Sequence, residues 1–392
     1  MNKKKNRTRF IPGFVTGMFA MLVVVVAIGA GIHFSGYSFG ESSASAVDNA
    51  EKKLKALEQV IDLKYLDKVS QNDLEEGLYK GLLQGLGDPY SVYYTKEEYK
   101  ELMESTSGTF YGIGAYVQQK ADAQYCTIIK VFENGPADKA GMKANDIVTK
   151  VNDKDVSGED IDKVVSMMRG DKGTEVKVQV FRSSEKKYID LKIIRDKVET
   201  TTVNYKMLDN KKKIGYIQIT EFDTVTQQQF EKALNALKKQ GMKKVVFDVR
   251  DNPGGSYDVV CSILDTLLPK GTLVSTKDKY GNEEKQTSDS SCLNMPMAVI
   301  QNENSASASE IFAGAIQDFK AGKIVGTQSF GKGIVQQIML LKDGSAIKLT
   351  IEKYYTPSGK NIHGKGITPD VKVETPTGKE DTQLKAALDT LK

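Results

Sequence analysis

From Lys211 onward the chain alternates short apolar runs with amphipathic ones, and this rhythm limits the fold more than any other feature. "IGYIQI", "KKVVFDVR" and "MAVIQN" are apolar runs of strand length. Between them Phe230, Ala233, Leu234 and Leu237 form a helical stripe that Gly241 ends, with Asp223 or Thr224 placed to cap its start, and "SYDVVCSILDTLL" forms a second helix. Strands apolar on both faces belong inside a parallel sheet covered by helices. Such sheets place ligands at the carboxyl ends of their strands. At 392 residues, more than one domain is expected.

The region before this core reads differently. Gly108 to Arg182 is β-rich, with runs "TIIKVF", "DIVTKVN" and "EVKVQVF" and short helices at Pro136–Ala140 and Glu159–Met168. Val47 to Ser105 is largely helical, with Leu54, Leu57, Val60 and Ile61 at the spacing of a buried face and Gly87-Asp88-Pro89 as a stop. This region either packs on the core or pairs two copies of the chain. Gly36 to Ala46 has linker composition. Ile11 to Ile32, "IPGFVTGMFAMLVVVVAIGAGI", is apolar throughout and follows Lys3, Lys4, Lys5, Arg7 and Arg9. Its length suits a single membrane span of about 20 residues with a cytoplasmic start. A cleaved signal peptide has a shorter apolar region, about 7–15 residues. The expectation is an uncleaved anchor at the cell membrane with the body outside the cytoplasm.

Charge and rare residues exclude several function classes. Removing those five basic residues from the total of 55 leaves 50 against 51 acidic, so the body has no basic excess for nucleic acid. Cys126, Cys261 and Cys292 form no CxxC pair, and three buried free thiols are expected. With only His33 and His363, a multi-histidine metal site is excluded and no metal or organic cofactor is expected.

One stretch carries chemistry. In "NSASASEIFAG", Asn304–Gly314, Ser307 follows an apolar strand and opens a helix. Ser307 and Glu310 form a Ser-x-x-Glu capping box, which alone is an ordinary helix start. Helix N-termini also offer free N–H groups and partial positive charge, which suit a developing oxyanion. A second turn, Asp251-Asn252-Pro253-Gly254-Gly255, follows the strand at Val245–Val249. A serine hydroxyl needs a base. Histidine being nearly absent, Lys332 in "TQSFGKGIVQQ" is the candidate, since burial lowers a lysine's pKa and leaves a neutral amine.

Two resemblances follow from these residues. Tyr111-Gly112-Ile113-Gly114, "GPADKAGMKANDIV" and "RGDKGT" resemble a circularly permuted PDZ domain. In such a domain the loop binds a free C-terminal carboxylate, and the peptide adds as a strand beside it. "GDPYS", "DVRDNPGG", "NSASASEIFAGAIQD", "VGTQSFGKGIVQQ" and "YYTPSGKNIHGKGITPD" together resemble the C-terminal-processing, or tail-specific, serine peptidases.

The resemblance implies a multi-domain α/β (α+β) chain, with a crotonase- or Clp-protease-like peptidase core, an inserted PDZ-like domain and an N-terminal helical region. The expected division is a cytoplasmic tail 1–9, anchor 10–34, linker 35–46, helical region 47–107, PDZ-like domain 108–197 and core 198–392. The resemblance also implies Ser307 as nucleophile, Lys332 as base and Gln336 as the residue that orients it. The backbone N–H groups of Ala308 and of Gly254, or Gly255 by one step, are the implied oxyanion donors. Arg169 resembles the arginine that couples tail binding to the core, and it equally suits bracing a turn. Implied partners are protein substrates with free apolar C-termini and, by analogy, a second copy of the chain. Asn304 stands where the family often has Gly, and His363 where Gln is expected. The rival class is a membrane-tethered PDZ adaptor whose core is only a scaffold.

Overall fold

The computed structural model describes residues 46–121, 123–376, 378 and 380–392. The described residues fall into two units, divided between Leu74 and Glu75. In the first, helix α1 (Ala46–Lys64) carries a Lys55–Glu51 ion pair, and Gln71 bonds Glu58 at 2.7 Å. The apolar stripe expected to be buried is largely open, with Leu57 and Val60 half exposed. Helix α2 (Gln71–Gln84) runs across the boundary between the units.

The expected anchor, 10–34, lies outside the described residues. Among the described residues no helix is long and apolar enough to cross a membrane. The one of sufficient length, α1, carries lysines and carboxylates along its whole course. The single-pass membrane placement expected from the sequence is therefore corrected: the structure does not support it.

In the second unit, strand β1 (Val92–Tyr94) and helix α3 (Lys96–Ser107) follow α2. Thr95 and Glu98 close a capping box at the start of α3, and Gly108, at φ 66°, ends it. Next come β2 (Thr109–Gly112), β3 (Ala115–Gln118), β4 (Cys126–Val131), helix α4 (Pro136–Lys139), β5 (Asp146–Val151), β6 (Lys154–Asp155), helix α5 (Ile161–Met168), β7 (Glu175–Arg182), β8 (Lys187–Ile194) and β9 (Asp196–Glu199). Strands β3-β4-β5-β7-β8 form one sheet, in which β3 is an edge, and β2 pairs with β9 as a separate ladder. Ile128, Val148, Val164, Met168, Val178 and Ile193 fill its core.

The remaining strands build the C-terminal half of the fold. They are β10 (Val203–Asp209), β11 (Ile214–Ile219), β12 (Lys244–Asp248), β13 (Gly271–Asp278), β14 (Glu283–Ser288), β15 (Met297–Gln301), β16 (Gly322–Gly326), β17 (Ile334–Leu340), β18 (Ala346–Tyr355) and β19 (Val371–Lys372). One sheet has the order β10-β11-β12-β15-β16-β19, and every pair in it except β10–β11 is parallel. Side chains alternate across a strand. Val245 and Phe247 thus pack under helices α6 (Thr226–Lys239), α7 (Tyr257–Leu267) and α8 (Ala308–Asp318), while Val246 meets helix α9 (Thr382–Thr390) on the other face. A second sheet, β1-β18-β13-β14 with β17 on β18, stands beside this layer.

Two smaller expectations are corrected. The start of α6 is not capped by Asp223 or Thr224. The Thr226 hydroxyl takes the Asp223 N–H at 2.9 Å instead, because the chain makes one more turn before the helix begins. Cys126 and Cys261 are buried free thiols, but Cys292 is exposed, in the loop before β15.

Candidate active site

Strands β12 and β15 are parallel neighbours, so the loops at their carboxyl ends must meet. Side chains lock them together. Asp251 N–H donates to Asn302 Oδ1 at 2.9 Å, and Asn302 Nδ2 and Asn304 Nδ2 each donate to Asp251 Oδ1 at 2.8 Å. Ser305 Oγ donates to the Val249 carbonyl at 2.7 Å, and Ser309 Oγ to the Asn252 carbonyl at 2.9 Å. Both serines are fully buried. The three alternating serines thus divide: two stitch the loops, and Ser307, only partly buried, stands between them.

Ser307 has φ 56° and ψ −114°. A non-glycine residue in this region costs about 1–3 kcal/mol and persists only where its surroundings dictate it. Its surroundings do so. Ser307 N–H donates to Glu310 Oε2 at 2.9 Å, and Tyr354 Oη donates to its carbonyl at 3.1 Å. Gly254, at φ 108°, lies against the turn so closely that a Cβ there would meet the Ala306 carbonyl and Ser307 Cβ at 2.8 Å each. The sharp bend holds the serine out at the head of α8.

A small cavity of about 90 Å³ opens there, lined by Gly255, Ser307, Ala308, Ile334, Gln336 and Tyr354, among others. The structure therefore brings Ser307, Ala308 and Gln336 to one space. Gly254 is not among its walls, and its N–H is tied to Asn252 Oδ1 at 2.8 Å. Its neighbour Gly255 faces the cavity instead. Gln336, on β17, bonds Thr350 Oγ1 at 3.5 Å.

Lys332 stands apart from that cavity. Its ammonium lies over the Tyr90 ring, 4.7 Å from the centroid, and makes no hydrogen bond or ion pair among the described residues. Burial pulls its pKa below the ordinary lysine range, and the nearby Lys348 adds to this, while Asp88 and Glu310 oppose it. His363 is exposed, and its backbone packs against Gly333, where a Cβ would meet His363 N at 2.5 Å.

The residue that sequence reasoning underrated is Glu310. Read as a helix cap, it does far more. Its fully buried carboxylate accepts from Ser307 N–H, Lys332 N–H at 2.8 Å, Gly331 N–H at 2.7 Å and Ser329 Oγ at 2.6 Å. One side chain thus fixes the backbones on both sides of the proposed chemistry. The signal was present: a Glu three residues after Ser307 together with a Gly-flanked lysine needing an anchor.

A second candidate site lies at the free edge of β3. A groove of about 360 Å³ is lined by Phe110, Ile113, Val117, Val165 and Met168, with Glu221 and Asp223 opposite. Gly114, at φ 75°, lets the loop turn into β3, while Gly112 is buried and Tyr111 exposed. Arg169 ends α5 beside Gly112 and holds its guanidinium over the Phe110 ring, 5.3 Å away. Burial, with the charge of Glu221, pushes Asp223 up to about 7. Among the described residues no cluster of metal-ligating side chains occurs.

Residues 213–373 match peptidase family S41, residues 127–182 a PDZ domain, and residues 26–98 the N-terminal domain of the activating protease CtpB. A probable CtpA-like serine protease of Staphylococcus aureus (strain MRSA252) is 37% identical over 365 residues, which is 91% of this chain and 72% of that one. Its counterpart in Staphylococcus epidermidis is 39% identical over 329 residues, 83% of this chain and 66% of that one. Among solved structures, the photosystem II D1 C-terminal processing protease is 26% identical with a TM-score of 0.49, covering 89% of this chain and 93% of that one. The chain belongs to peptidase family S41, among the C-terminal-processing serine proteases, and carries a PDZ domain.

Proposed function

We propose that the chain is an endopeptidase that takes proteins by free apolar C-terminal tails and hydrolyses their peptide bonds by acyl transfer at Ser307. The observation that carries this reading is the division among the three serines: Ser305 and Ser309 are buried in loop-to-loop hydrogen bonds, while Ser307 lines a cavity on a strained turn. Neutral Lys332 accepts the Ser307 proton, and Ser307 attacks the scissile carbonyl. The tetrahedral oxyanion falls to the N–H groups of Ala308, at the head of α8, and Gly255. One such donor is typically worth about 3–4 kcal/mol. Lys332 then protonates the leaving amine, and water clears the acyl-enzyme. Gln336, on the wall of the same cavity, orients the lysine.

The groove beside β3 takes the tail. Its apolar walls suit the last side chain, the loop at Tyr111, Gly112, Ile113 and Gly114 receives the terminal carboxylate, and the open edge of β3 accepts the peptide as an added strand. Arg169, at the groove's end, is placed to couple an occupied groove to the core. In this reading 108–197 is the tail-binding domain and 198–392 the hydrolytic one.

One observation favours the adaptor reading, in which the core only supports the PDZ domain: Lys332 points at Tyr90 and not into the cavity. An unstructured protein ending in free apolar residues separates the two readings when compared with the same protein amidated at its C-terminus. Cleavage of the free-ended substrate at least tenfold faster supports the proposal. Equal cleavage of both removes the tail-recognition part, and tight binding without cleavage supports the adaptor.

A further inference from the structure

The "GDPYS" turn has no part in the chemistry so far, yet the centroid of its Tyr90 ring lies 4.7 Å from the ammonium of the proposed base. Asp88 builds it: its carboxylate accepts the Tyr90 N–H at 3.0 Å and the Ser91 hydroxyl at 2.6 Å. Ser91 Oγ then accepts the Thr350 N–H at 3.1 Å, and Val92 pairs with Lys348 across the β1–β18 ladder. The half-buried Tyr90 ring is thereby fixed to the strand that also partners Gln336, through Thr350. Above this ring lies the Lys332 ammonium.

We infer that Tyr90 is a positioning residue for Lys332: its ring face holds the lysine while it is charged and releases it toward Ser307 when it is neutral. The inference rests on the reading of Lys332 as the general base. An aromatic face attracts an ammonium through its quadrupole and has no such attraction for an amine. Burial acts in the opposite sense, favouring the amine. The other charged groups acting on this lysine are Asp88 from the same turn, Glu310 from α8 and Lys348 from β18; His363, from the segment packed on Gly333, acts on Asp88 and not on the lysine. Two are answered elsewhere: the Glu310 carboxylate is surrounded by backbone donors, and the Lys348 ammonium sits on the Tyr94 ring at 5.4 Å. Asp88 adds a longer-range attraction, while the ring of Tyr90 is the group lying directly against the ammonium. A lone pair is exposed for catalysis only in the state that leaves the ring, so deprotonation and alignment with Ser307 become one event.

The test replaces Tyr90 with Phe, which keeps the ring, and with Leu, which fills similar space without one. The acidic limb of the pH profile of kcat/KM is expected to move to lower pH by about half to one unit in Tyr90→Leu and to keep its wild-type position in Tyr90→Phe. KM for a tail-bearing substrate should not change, since the groove is untouched. A second readout is independent of activity: in a Ser307→Ala background, the pH dependence of Lys332 acylation by an amine-reactive reagent, followed by mass spectrometry, should shift in the same direction. That readout also serves if Tyr90→Leu folds poorly, by using Tyr90→Met. Unmoved curves in Leu and Met, or an equal shift in Phe, overturn the inference. Full activity in Lys332→Ala overturns the base assignment beneath it, which is a separate result.

Discussion

Ser307→Ala is expected to lower kcat by about four to six orders of magnitude, and Lys332→Ala by a comparable factor, with the double variant no slower than the worse single one. In the proposed mechanism nucleophile and base act as a unit, so removing either leaves only oxyanion stabilisation and binding, a residue of about 10³–10⁴ over water. The tail groove shares no residue with the dyad, so affinity for a C-terminal peptide should stay within about twofold of wild type. Single-turnover cleavage followed by mass spectrometry, with parallel titration of a labelled tail peptide, measures both. A Lys332→Ala variant that retains a tenth of wild-type cleavage would sink the dyad. Additive losses in the double variant would mean that the two residues serve different steps. A His363→Ala control should cleave as wild type does, because that exposed side chain meets neither the cavity nor the serine.

Glu310→Ala is expected to destabilise the protein by about 3–5 kcal/mol, because it orphans four donors at once, two of them buried and two partly buried. Glu310→Gln removes less volume and keeps one acceptor oxygen, but its NH₂ group then faces donors. Its stability loss should be about half as large, while kcat should fall at least a hundredfold. The reason is geometric. Both Ser307 N–H and Lys332 N–H close on the same carboxylate, so a shift there misaligns nucleophile and base together. Urea unfolding midpoints and kcat of the two variants check this. Glu310→Gln with wild-type kcat would reduce the residue to an ordinary helix cap.

How much of this was readable in the sequence depends on how local the cause was. The parallel strands and the helix head at Ser307 were legible, because apolar runs and Ser-x-x-Glu are short-range signals. The meeting of the "NPGG" turn with the serine loop was a requirement of the functional reading and not legible by itself, since it depends on the strand order that makes β12 and β15 neighbours. Which glycine faces the cavity was not legible: Gly254 and Gly255 differ only in that the Asn252 side chain claims the first one's N–H. Strand β1 was hidden inside a helical stretch, because three residues, "VYY", are too few to show a period, and their partner is near the other end of the chain. The Tyr90–Lys332 contact was hidden for the same reason. The cap of α6 was misplaced because Asp and Thr at successive positions all look like caps, and only the path of the turn decides among them.

The β1–β18 ladder also has a temporal meaning. Ser91 waits for Thr350, 259 residues later, before the turn that carries Tyr90 can be fixed. Closing so long a loop is entropically costly and slow, whereas β3 to β8 pair among themselves over short separations. A nascent chain is thus expected to possess a folded PDZ domain well before its C-terminal core is complete. On the proposed reading, a protease assembled in that order passes through a stage in which it can hold other proteins by their ends but not yet cut them.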